Sequence, residues 1–146
     1  MTRKSLPIAK PRRHPRGFSV SLMSDTKWRK LFTALDRPDL EAAQVLIKFV
    51  DTERVHTVRL PRRANLHSPK AFIDMFEFGP LPLRSIEWIE FPAVAEYPNV
   101  SPDGKGRVPS TRVPQNIERI ASILADLGQF PMELSRHALR INGHAR

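Results

Sequence analysis

The amino-acid sequence predicts an α+β domain, with a mostly antiparallel sheet and two amphipathic helices packed on it. Two segments, near residues 25–36 and 114–127, repeat apolar side chains at the 3.6-residue spacing of one helix face. Several short segments rich in Val, Ile, Leu and Phe lie between them, joined by polar turns too short for a parallel crossover. The chain contains no cysteine, so the fold rests on a core and not on disulfides, which 146 residues are enough to build.

The first helix is expected from about Asp25 to Asp36. Ser24 or Asp25 can cap it, and Trp28, Leu31, Phe32 and Leu35 fall at i, i+3, i+4 and i+7. Pro38 ends it, because the residue before a proline avoids the helical region. Gln44–Val50 reads as a strand with Val45, Ile47 and Phe49 on one face. Asp51–Arg54 is a polar turn, and Val55–Leu60 returns as the second arm of a hairpin. Pro61–Pro69 is expected as a loop, and Ala71–Phe78 fits a short helix or a strand. In Leu83–Phe91, Ile86 and Trp88 are expected to point one way and Ile89 and Phe91 the other. That broken alternation predicts a central strand covered on both faces, or a bulge. Ala93–Pro114, with three internal prolines and two glycines, reads as one long loop. The second helix is expected over Pro114–Leu127, with Pro114 at its first position and Gly128 as the left-handed residue that ends it. Phe130–Leu134 and Ala138–Asn142 read as a closing hairpin, with Pro131 placing the former at an edge. Trp28, Phe32, Ile47, Phe49, Ile86, Trp88, Ile120 and Leu124 are the expected core.

The formal net charge is +9, but it is unevenly spread. Residues 1–22 hold six cations and no acid, which leaves 18 basic residues against 15 acids for residues 23–146. With three prolines and little to bury, residues 1–22 are expected to be a disordered basic arm before a single domain over 23–146. A translation start at Met23 would give the compact domain alone. No apolar run approaches the roughly 18 residues of a membrane helix, and the N-terminus lacks the apolar stretch of a signal peptide, so a cytoplasmic protein is expected.

Motifs that carry chemistry are scarce. His14, His56, His67, His137 and His144 show no metal-binding spacing, and no cofactor fingerprint occurs, so no metal and no cofactor is expected. Glu87 and Glu90, three apart on a strand, fall on opposite faces and are expected to pair with nearby Arg or Lys. No G-x-S-x-G elbow supports a hydrolase. The segment Ser101–Arg107 has glycines and cations able to meet an anion, but lacks the Ser or Thr after lysine that a phosphate-binding loop requires. The candidate anion or nucleic-acid contacts are Arg12, Arg13 and Arg16 of the arm, Arg62 and Arg63, and Lys105, Arg107 and Arg112.

Four blocks carry a family likeness: Thr26–Phe32; Phe78-Gly79-Pro80 leading into Ile86–Pro92; Leu127–Pro131; and Leu139-Arg140-Ile141 before Gly143. Over about residues 23–143 the chain resembles a family of small bacterial proteins known as a domain of unknown function. The resemblance implies a shared fold and assigns no activity or catalytic residue. The compact build is similar to that of small immunity proteins of bacterial toxin systems.

A non-catalytic binding module is therefore expected, immunity-type or toxin-associated, acting by contact with another protein. Inhibitors of nucleases imitate nucleic acid with acidic surfaces, and this basic chain does not suit such a target. The alternative is a nucleic-acid-associated protein using the basic arm.

Overall fold

The structure is a computed structural model that describes residues 20–67, 71–98 and 110–145. In chain order the elements are β1 (Val20–Ser21), α1 (Asp25–Ala34), β2 (Gln44–Phe49), β3 (Val55–Arg59), β4 (Leu66–His67), β5 (Phe72–Met75) and β6 (Gly79–Pro82). They continue with β7 (Ile86–Pro92), β8 (Val94–Tyr97), β9 (Thr111–Pro114), α2 (Ile117–Leu127), β10 (Met132–Leu134), β11 (Ala138–Asn142) and β12 (His144–Ala145). The α+β class is as expected: a five-stranded antiparallel sheet, ordered β10-β11-β7-β2-β3, carries two helices on its core face. No described helix is long and apolar enough to cross a membrane.

Helix α1 starts where Ser24 Oγ accepts a hydrogen bond from the Lys27 N–H at 3.1 Å, satisfying one of the first-turn donors. Its apolar face buries Trp28, Leu31, Phe32 and Leu35, and the rings of Trp28 and Phe32 stack at 5.9 Å. Helix α2 buries Ile117, Ile120 and Leu124 against the same core. Its N-cap is Asn116, which accepts from the Arg119 N–H at 3.1 Å, so Pro114 is the last residue of β9 and not the first of the helix. Gly128 ends α2 in an extended conformation, not the left-handed one expected.

The central strand β7 contains a bulge. Lys48 lies opposite Trp88 while Phe49 lies opposite Ile86, so Glu87 is the extra residue. The bulge returns Ile86 to the side of Ile89 and Phe91, and all three are fully buried. Trp88, expected in the core beside Ile86, is instead half-buried on the other face, beneath the Arg140 guanidinium at 3.9 Å from its ring. The Glu87 carbonyl accepts the Gly143 N–H. A Cβ at Gly143 would stand 2.2 Å from the Ile86 carbonyl oxygen and 3.0 Å from the Trp28 ring, so only glycine lets the chain pass there. Glu87 pairs with Lys48 and Glu90 with Arg140 at 2.9 Å, so each meets a cation as expected, but the bulge brings the buried Glu87 to the Lys48 and Trp88 side of the sheet and not to the face opposite Glu90.

Three further pieces attach to this sheet. Part of the expected Pro61–Pro69 loop, the Ala71–Phe78 segment and the residues after it form a small antiparallel sheet, β4-β5-β6. It adds Leu66, Ile73 and Met75 to the core. Ala93–Pro114, expected as a loop, contributes an antiparallel pair, β8 with β9. Val20 and Ser21, inside the segment read as arm, pair with Ala145 and His144.

Candidate functional site

Strand β3 is the open end of the main sheet. The Leu60 N–H donates to the Ala43 carbonyl at 2.8 Å, which makes Ala43–Leu60 a hydrogen-bonded pair of the ladder. Antiparallel ladders alternate, so Val58 and His56 also bond toward β2, while Val55, Thr57 and Arg59 turn their N–H and C=O groups outward. The opposite register of β2 agrees: Gln44, across from Arg59, sends its N–H away from β3 to the side chain of Gln115. No described residue pairs with the outward groups of β3. The other end of the sheet is β10, which is only three residues long and follows Pro131.

Beside this edge the structure opens a cleft of about 1080 Å³. Its walls are Pro38–Gln44, Thr57–Arg59 and Glu77, the β8–β9 pair near Tyr97 and Val113, and the start of α2 with Arg119. The far wall is held by two glutamine side chains acting as short strands. The Gln115 Oε1 accepts the Gln44 N–H at 2.7 Å, and its Nε2 donates to the carbonyls of Gln44 and Pro92 at 3.1 and 2.8 Å. Gln44 in turn donates to the Glu96 carbonyl at 2.9 Å and accepts the Glu96 N–H at 3.3 Å. Tyr97 Oη donates to the Ala42 carbonyl at 3.2 Å. Replacing Gln115 by Ala strips partners from three backbone groups, and an unmade buried hydrogen bond costs roughly 1–3 kcal/mol. Gln115→Ala is therefore expected to lose roughly 1–3 kcal/mol in a denaturant melt and to speed hydrogen exchange of the β8 amides. An unchanged exchange rate there would show that the glutamines do not hold the wall.

The turn between β5 and β6 flanks the edge on its other side. Phe78 packs edge-on against His56 of β3 and against Phe49, at 5.3 and 5.0 Å between ring centroids. Burial in this setting pushes the His56 imidazole below its ordinary pKa, with the Arg54 charge adding to the effect and Glu77 opposing it. Two residues before Phe78, Phe76 is fully exposed, and on β3 itself Val55 is 40% exposed. Phe76 belongs to the turn whose Phe78 touches His56 of β3, so an exposed aromatic side chain lies in the turn next to the unpaired strand.

Of the expected anion contacts, three lie among the described residues. Arg12, Arg13, Arg16, Lys105 and Arg107 lie outside the described residues. Arg62 already faces two carboxylates, Asp36 at 3.0 Å and Glu41 at 2.9 Å. The Arg63 backbone N–H donates to Asp36 at 3.0 Å, and that bond, with the Arg62 and Arg63 charges, holds the Asp36 carboxyl below the usual range despite partial burial. Arg112, on β9, pairs with Glu96 at 3.1 Å. The carboxylates that Arg62 and Arg63 face, Asp36 and Glu41, are different from the Glu96 that Arg112 faces. Among the described residues, no group of three or more His, Asp or Glu is placed to hold a metal ion. The edge of β3 carries no signal in the sequence beyond its hairpin, since strand order decides which arm lies outermost.

No curated protein and no solved structure matches the chain. A family match covers all the elements described above, from β1 to β12. It reaches back to residue 14, into the segment read as arm: residues 14–146 fit the model of a Family of unknown function (DUF6678), and the chain belongs to that family.

Proposed function

We propose that the domain is a non-catalytic binding module that acts by protein–protein contact, in the manner of immunity-type or toxin-associated proteins. The observation that carries this reading is the open edge of β3 beside the fully exposed Phe76. An unpaired edge offers main-chain hydrogen bonds to an added strand, and neighbouring apolar side chains supply the contact that makes such bonds worth forming. The cleft alongside gives that surface depth, and its polar wall is rigid because the two glutamines close it.

The test is differential capture from the native host. Full-length chain and a Phe76→Ser variant are immobilised side by side, and retained proteins are identified by mass spectrometry. Phe76 is fully exposed, so its replacement leaves the fold intact. The expected result is a partner, whether another protein or a further copy of this chain, held by the wild type and lost with Phe76→Ser. Identical retention by both would overturn the reading.

A second reading has its own observation, the six cations and no acid of residues 1–22. In it the arm associates with nucleic acid through phosphate contacts without sequence preference.

A further inference from the structure

From the register and the charge order of β3 we infer that the partner of this edge is a second copy of the same edge, paired antiparallel about a two-fold axis at Thr57. The inference rests on the binding reading above and names the occupant of that site. Three features support it.

The first is hydrogen bonding. Val55, Thr57 and Arg59 present their N–H and C=O groups outward and in phase, so a second β3 running the opposite way meets each of them. With the axis at Thr57, Thr57 faces Thr57 of the second copy, and Val55 faces Arg59 of the second copy. Threonine pairs directly across an antiparallel ladder are favourable, and no like charges meet along the five residues.

The second is charge order. The segment runs from net acidic to basic: Asp51 and Glu53, followed by the single cation Arg54, precede β3, while Arg59 ends it and Arg62 and Arg63 follow, and Val55–Val58 between them is uncharged apart from the titratable His56. Antiparallel self-pairing lays the acidic turn before β3 of each copy toward the basic segment after β3 of the other, Asp51 toward Arg63. Asp51 and Glu53 are exposed; the Arg63 guanidinium lies 3.7 Å from Asp36, but its side chain is 71% exposed and can meet a second carboxylate. Parallel pairing would set like beside like.

The third is that β3 itself lacks the usual guards of an edge strand. Natural edge strands are blunted by proline, by inward-facing charge or by brevity. The β10 edge is short and follows a proline, whereas β3 has five residues, no proline within it, and Val58 and His56 on its inner face. The exposed Phe76 sits in the turn whose Phe78 touches His56, so a strand laid along β3 passes that turn. Such an isologous contact closes on itself as a dimer.

The experiment is sedimentation equilibrium on the full chain, with three variants. Thr57→Pro removes an outward N–H that β2 does not use, so the hairpin survives while the centre of the interface is blocked. Arg63→Glu and Asp51→Arg each set like charges together in their own homodimers, but restore opposite pairs at both ends when mixed. The expected result is a concentration-dependent dimer for the wild type. Its dissociation constant rises at least about tenfold in Thr57→Pro and in each charge variant, which corresponds to about 1.4 kcal/mol, and the equimolar mixture recovers most of the wild-type affinity. A wild type that stays monomeric overturns the inference, as does a dimer indifferent to all three variants. If the wild type is monomeric but Phe76→Ser still loses a different captured protein, only the self-pairing fails and the binding reading stands. If neither dimer nor differential capture is found, both fall.

Discussion

Replacing Lys48 by Met is expected to destabilise the domain by about 3–5 kcal/mol, the range for removing one member of a buried ion pair. Lys48 and Glu87 have side chains only 10% exposed, and their contact bridges the bulge of β7 to its neighbour β2. The methionine keeps most of the packing volume, so the loss reports charge and not a cavity. Without the ammonium, the carboxylate stays in a place with little water. The companion variant Lys48→Met with Glu87→Leu removes both charges, and pairs replaced by apolar residues of similar volume are often neutral or better. Denaturant melts should therefore show the double variant within about 1 kcal/mol of wild type and well above the single one. A single variant that melts like wild type would mean that the pair is hydrated and makes no net contribution.

The same strand shows where sequence reasoning succeeds and where it stops. Periodicity finds α1, β2, β7, α2 and β11, because each carries an apolar face set against one core, and β3 and β10 as the hairpin partners of β2 and β11. Those faces include Val45, Ile47 and Phe49 of β2 and Ile117, Ile120 and Leu124 of α2. Alternation counted through β7 misplaces Trp88, since a bulge shifts the phase by one residue and the sequence marks it only as a break. The pair β8–β9 is hidden for another reason. All four residues of β9 are exposed and β8 buries only Ala95, so neither strand has the alternation that would reveal it. What fixes them is a pair of glutamine side chains whose hydrogen bonds leave no pattern in composition. The strands of β4-β5-β6 are two to four residues long, and Pro80 and Pro82 in β6 hide a strand that only an edge position accepts. At α2, proline preference competed with asparagine capping, and the Asn116 side chain decides the boundary. The candidate site was the least legible part. Val55–Arg59 is readable as a strand, but its lying outermost follows from β7 pairing with the far side of β2, a contact about forty residues away in sequence.

The steepest response expected of the full chain is to salt, if residues 1–22 engage nucleic acid. Their six cations can neutralise six phosphates, and at roughly −0.9 per phosphate the logarithmic slope on duplex DNA is about −5. Affinity is then expected to fall by about three decades when salt rises fourfold, and unrelated sequences should bind alike, since phosphate contacts carry no base information. The rest of the chain supplies little to this. Residues 23–146 hold 18 basic residues against 15 acids, and Arg62 and Arg112 already face carboxylates within the domain. The measurement is fluorescence anisotropy of a labelled duplex, titrated at several salt concentrations with the full chain. A parallel series uses full-length protein in which Arg12, Arg13 and Arg16 are changed to Gln, which keeps the contact of β1 with β12 intact. Losing three of the six cations should cut the slope by about half. A slope that survives these substitutions would place the phosphate contacts elsewhere in the chain, with Arg3, Lys4, Lys10, Arg63, Lys105 and Arg107 the next residues to change. No binding at low salt by either protein would remove nucleic acid as a partner and leave the β3 edge as the surface through which the domain acts.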